Sequence, residues 1–120
     1  MQPDPTPRDP AAATLAVNAG APYDVIAYGF SEERRQGLTD VGLPELVALA
    51  LIRPEDEPWI RDAARQQREL VCVLDPAAPE SHIGAFTFMG RVSGFRDLRH
   101  GRLAVEFTSV GPVTPHFLRR

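Results

Sequence analysis

Proline placement constrains this chain more than any other feature. The 120 residues hold 12 prolines, and four of them fall at Pro3, Pro5, Pro7 and Pro10. Each proline lacks a backbone donor and has a fixed φ, so so dense a run suits neither a helix nor a sheet ladder. The small residues Ala11 to Ala13 follow, and such a stretch has little to bury. The pattern predicts a flexible tail over residues 1–21. Pro22 then restricts its predecessor to extended geometry and opens the ordered part. A chain of this length can form one hydrophobic core without disulfide or metal, but not two. The expectation is one domain over residues 22–113, with residues 114–120 fraying beyond Pro112 and Val113.

Within that span, Tyr23 to Phe30 reads as a first strand, because Tyr, Val, Ile and Phe suit a pleated surface. Ser31 to Gly42 is polar and glycine-broken, a connecting loop. Leu43 to Arg53 is ambiguous: Pro44 and the run Glu45 to Ile52 have helix propensity, yet there is no polar face. A strand buried on both faces fits the same residues, and periodicity does not separate the two. The balance favours strand. Pro54-Glu-Asp-Glu-Pro58 is a helix start, with carboxylates where exposed amides attract them. Trp59, Ile60, Ala63, Ala64, Gln67 and Leu70 recur at three- and four-residue spacing, which predicts a one-sided helix over 58–70. Ile83 to Val92 and Arg102 to Val110 form two further strands, the second alternating Leu103, Val105 and Phe107 against Glu106 and Thr108. Gly101 suits the turn between them. The predicted fold class is α+β: a small mixed or antiparallel sheet, one main covering helix and a C-terminal β-hairpin.

All 13 basic residues are arginine. Residues 1–80 carry 14 carboxylates and 7 arginines, a balance of −7, whereas residues 81–120 carry 2 and 6, a balance of +4. Such polarity either orients a partner or is neutralised internally on folding. No apolar run reaches the roughly 18–20 residues of a membrane span, and no hydrophobic segment follows Arg8. The expected location is cytoplasmic. The one cysteine, Cys72, excludes an internal disulfide.

Chemistry-bearing residues are sparse. His82, His100 and His116 are far apart in sequence and lack the local spacing of a zinc site. Cys72 between Val71 and Val73 reads as a small buried hydrophobe. Ser81 and His82 are adjacent on an extended segment and point to opposite faces, a poor dyad. Glu55, Asp56 and Glu57 are explained as helix-terminus charges, and Glu32 and Glu33 as loop solvation. There is no phosphate-cradling glycine loop and no dinucleotide fingerprint. The reading therefore assigns no catalytic residue, metal or cofactor. A small enzyme with an unfamiliar site around Cys72 and His82 is kept as a lesser alternative.

The C-terminal hairpin carries the best recognition surface. Phe86, Phe88 and Phe95 lie near Arg91, Arg96, Arg99 and Arg102. Such a mixture stacks bases and holds phosphates in sheet-based single-strand binders, while arginine is equally favoured at protein interfaces. The overall acidity opposes a general affinity for polyanions. Phe95, Arg96, Arg99 and Arg102 are the expected partner-binding residues, for a protein first and a single-stranded nucleic acid second.

The stretch Tyr28-Gly29-Phe30-Ser31-Glu32, then Gly42-Leu43-Pro44-Glu45-Leu46, then Trp59 opening a helix, resembles the start of suppressor-of-fused-like domains. That family pairs a Tyr-Gly-Leu-Ser-Glu segment with a Gly-x-Glu-Leu strand and a tryptophan-bearing helix. The resemblance covers residues 23–70 and departs at Phe30, Pro44 and everything beyond residue 75. It implies an α+β domain that binds proteins, with bacterial relatives acting as immunity proteins against a toxin partner. The expected function is thus a non-catalytic protein-binding module, an immunity or adaptor protein that neutralises or docks its partner.

Overall fold

The computed structural model describes residues 13–31, 45–76 and 83–117. Its strands are β1 (Thr14–Val17), β2 (Tyr23–Ser31), β3 (Glu45–Leu51), β4 (Leu70–Asp75), β5 (Ile83–Asp97) and β6 (Leu103–Phe117), with one helix, α1 (Glu57–Arg65), between β3 and β4. These strands close into a barrel in the order β1-β2-β3-β6-β5-β4, β4 pairing back onto β1. Every pairing is antiparallel. The run β1-β2-β3 with β4 returning beside β1 is a Greek key, and the long return is the segment that contains α1.

The expected open α+β sheet with a covering helix is therefore incorrect. Closure removes the free edges that an open sheet of this size would leave, and the short β1 makes it possible by bonding to β2 on one side and β4 on the other. Thr14–Val17 is thus a strand, in place of the flexible tail expected over those residues. The Pro-rich run does not foretell it, because Leu15 and Val17 become inward residues only once β4 lies alongside. At the other end, β6 stays paired through Thr114 and Pro115 to β5, where fraying after Val113 had been expected. Pro115 is tolerated because that stretch of β6 pairs with β5 alone among the described strands.

Residues 45–51 are a strand, but not one buried on both faces. Leu46, Ala48 and Ala50 are fully buried, while Glu45, Val47, Leu49 and Leu51 alternate with them and are half-exposed. The lumen is filled by Leu15, Leu46, Leu74, Val105 and Phe107, all without solvent contact, with Cys72 and Phe88 beside them. Small barrels of this kind are packed solid by inward side chains. Gly90 marks the tightest point: a Cβ there would sit 2.9 Å from Cys72 Sγ and 3.1 Å from the Phe88 ring.

The helix is shorter than its apolar spacing suggests. It ends at Arg65, and Gln67 takes a left-handed conformation with φ of 54°. Gln67 N donates to Ala64 O and Arg68 N to Ala63 O, a Schellman stop. Leu70 belongs to β4 and only Ile60 and Ala63 of the helix are buried; Trp59 is exposed. The helix thus lies against one end of β5, rather than covering a sheet face. Among the described residues, no helix is long and apolar enough to cross a membrane.

Candidate functional site

The end of the barrel that carries the β5–β6 turn is built around Arg53. Its guanidinium stacks 4.2 Å from the Tyr23 ring centre, donates to the carbonyls of Pro22 and Ala21 at 3.2 and 3.0 Å, and lies 3.2 Å from Asp56 Oδ2. The Tyr23 hydroxyl donates to the same carboxylate oxygen at 2.7 Å. That hydrogen bond, aided by Arg53, holds the Asp56 carboxyl below its ordinary range. Burial, together with the hydrogen bond to Asp56, pushes the Tyr23 phenol well above its ordinary value. Asp56 is consequently more than a helix-terminus charge: it ties the first strand residue of β2 to the turn before α1.

Beside this network opens a cavity of about 420 Å³, lined among others by Asp24, Leu51, Ile52, His100, Arg102 and Leu103. Its volume lies in the range of binding clefts. Leucine and isoleucine supply an apolar floor, while Arg102 and His100 come from the turn. That turn is shaped by two consecutive left-handed residues, His100 with φ 64° and Gly101 with φ 71°, and is closed by Leu98 N donating to Arg102 O at 2.8 Å.

The four expected partner residues separate. Arg96, Arg99 and Arg102 are exposed and carry no ion pair among the described residues. Phe95 is different. It packs partly into the core, and Arg61 lies 4.3 Å over its ring. The other two phenylalanines are also committed: Phe88 is buried and Phe86 meets Phe30 edge-on at 5.6 Å between ring centres. The aromatic platform that base stacking needs is not assembled beside the arginines. Arg91, the fourth arginine of that stretch, faces Glu69 at 3.5 Å.

The remaining chemical candidates find little company. Cys72 is fully buried and its thiol is pushed up to about 12 by that burial, the reverse of an activated nucleophile. Ser81 and His82 lie outside the described residues, as do Glu32 and Glu33. His116 Nε2 is 2.7 Å from Thr87 Oγ1. Among the described residues, no group of three or more His, Cys, Asp and Glu side chains is placed to hold a metal ion.

Sequence reasoning missed Arg53, Tyr23 and Asp24 as parts of one site. Tyr23 and Asp24 read as strand residues and Arg53 as a boundary, because nothing local signals that β2 and the β3–α1 connection meet at the barrel end. Compared with protein-family models, curated proteins and solved structures, the chain matches none.

Proposed function

We propose that this chain is a non-catalytic protein-binding module whose recognition surface is the turn end of β5 and β6, with Arg96, Arg99 and Arg102 as its charged contacts. The observation that carries the reading is the contrast among arginines. Among the described residues, Arg53, Arg61, Arg65 and Arg91 each face a carboxylate and Arg68 is exposed alone at the helix stop, whereas Arg96, Arg99 and Arg102 are clustered around one turn and left to solvent. Unpaired guanidinium groups beside a cavity of mixed polar and apolar lining suit an interface hot spot, an anchor pocket with a charged rim. An immunity or adaptor role, neutralising or docking a partner, extends the same reading. Single-strand nucleic-acid binding is less supported, since the phenylalanines are used within the fold.

The test is recovery of the tagged protein from its host, in parallel with an Arg96→Glu, Arg99→Glu, Arg102→Glu variant. A stoichiometric protein companion lost from the variant, whose melting temperature stays that of the parent, supports the reading. A companion retained equally by both removes this surface. Nucleic acid in the companion's place, released steeply by salt, transfers the surface to the second reading.

A further inference from the structure

The outer face of β3 carries Val47, Leu49 and Leu51 at alternate positions, each half-buried. On the β2 side the register sets Gly29 beside Val47 and Ala27 beside Leu49, so the two positions paired with those residues add little bulk. A cavity of about 320 Å³ opens there, lined by Gly29, Val47, Leu49 and Glu106 together with the exposed aromatics Tyr28 and Phe30. Two residues further along the same strand, Leu51 lines the 420 Å³ cavity together with Arg102 and His100. Successive outward side chains of one strand thus line both cavities. From Val47 to Leu51 this track runs about 14 Å at roughly 3.4 Å per residue.

Its two ends differ in charge. In the row that contains Leu51, the ladder places Asp24, Leu51, Ala104 and Arg96 side by side across β2, β3, β6 and β5. Ala104 adds no bulk; Arg53 and Glu57 of the same cavity are paired with Asp56 and Arg61, and Arg96 and Arg102 together outweigh Asp24. In the row that contains Val47, the corresponding β5 residue is Arg91, already facing Glu69. Between them Glu106 Oε1 accepts a hydrogen bond from Ser93 Oγ at 2.9 Å, and Ser93 Oγ also lies 2.7 Å from Thr108 Oγ1. The track is therefore apolar on its β2–β3 side, carries the Glu106 carboxylate midway on its β6 side, and is cationic at one end.

We infer that this track receives an extended peptide segment of the protein partner, with apolar side chains at alternate positions and carboxylates at the end that reaches Arg96 and Arg102. The inference rests on the protein-binding reading above and names what the partner presents. An extended chain repeats its side-chain direction every two residues, which is the spacing from Val47 to Leu49 to Leu51. Gly29 supplies the discriminating variant. A Cβ built there meets no described atom within 4 Å, and its φ lies outside the left-handed region. Valine fits the strand at that position while filling the track.

Random octapeptides displayed on phage and selected on the full chain provide the probe. The expected result is enrichment of sequences with alternating apolar residues and carboxylates at one end. By fluorescence polarisation, the enriched peptides bind Gly29→Val and Arg102→Glu at least about tenfold more weakly than the parent, with the Gly29→Val melting temperature unchanged or raised. No enrichment, or peptides that bind Gly29→Val as tightly as the parent, overturns the inference. The host-derived complex separates the two readings. If it is lost on arginine reversal but unaffected by Gly29→Val, the track falls and the charged surface stands; if neither variant weakens it, both fall.

Discussion

The two faces of β3 invert the usual expectation. The inner face carries Leu46, Ala48 and Ala50, all sealed from solvent, yet two of these three are alanine. The outer face carries Val47, Leu49 and Leu51, which are larger on average and half-exposed. A narrow lumen already holds Phe107, Val105, Leu15 and Leu74, so close packing leaves β3 room for small side chains. No such limit acts outside. The comparison separates two roles for apolar residues in one strand: the inner row serves stability, and the outer row is available for contact with another molecule.

The strongest way to break this contrast is truncation on each side of it. Phe107→Ala empties the centre of the lumen and should cost about 3–5 kcal/mol, in the range of large core deletions. Leu49→Ala, on the outer face, should cost below about 1 kcal/mol. Urea unfolding of both variants measures the difference, and equal losses would show that the outer row is core after all. Cys72 and Val71 repeat the contrast on β4, one fully buried and the other 45% exposed. Cys72→Ser puts a hydroxyl into the packed lumen and should lose about 1–3 kcal/mol, while Val71→Thr should change stability by less than about 0.5 kcal/mol. The native Cys72 thiol should also resist a disulfide-exchange reagent at pH 8 until the protein unfolds, as its raised value requires.

Tyr23 sharpens the contrast where the inner row reaches the barrel end. Its ring is buried and its hydroxyl meets Asp56. Tyr23→Phe keeps the packing and should cost about 1–2 kcal/mol near neutral pH, the worth of a hydrogen bond to a charged group. The pH dependence follows in sign. The depressed Asp56 value contributes stability that is present above the unfolded carboxyl value near pH 4 and lost as pH falls through the folded value. The raised Tyr23 value contributes stability that is present below about pH 10 and lost as pH rises through the folded value. Tyr23→Phe should flatten the acid limb and reduce the alkaline one, to which the raised Cys72 thiol also contributes; thermal melts from pH 2 to 11 check both. A gain is expected from Gln67→Gly, which relieves a left-handed residue at the helix stop away from both faces. It should raise stability by about 0.5–1 kcal/mol, readable as a small upward shift in melting temperature.

Strand identity was legible wherever a local pattern existed. Leu103, Val105 and Phe107 alternate as strand residues must, Gly101 marks the turn, and Pro54 with its carboxylates marks the short turn that leads into α1. The basic excess of the C-terminal third was also legible by counting, and the structure leaves its Arg96, Arg99 and Arg102 exposed around one turn. Phe95 was not, since its ring is used by Arg61, a residue 34 positions earlier. Likewise the spacing from Trp59 to Leu70 looked like one helical face, but a left-handed Gln67 splits it, and Leu70 pairs with Gly90 in the sheet.

From its own residues the chain determined short elements bounded by proline and glycine, an inert cysteine and a basic C-terminal third, because each follows from local stereochemistry or simple counting. Closure of the barrel, the enlistment of Thr14–Val17 as its sealing strand and the assembly of Tyr23, Arg53 and Asp56 at one end were decided by tertiary structure. These depend on pairings between residues tens of positions apart, and whether Val47, Leu49 and Leu51 face the lumen or the outside is fixed only when β2 and β6 lie on either side of them.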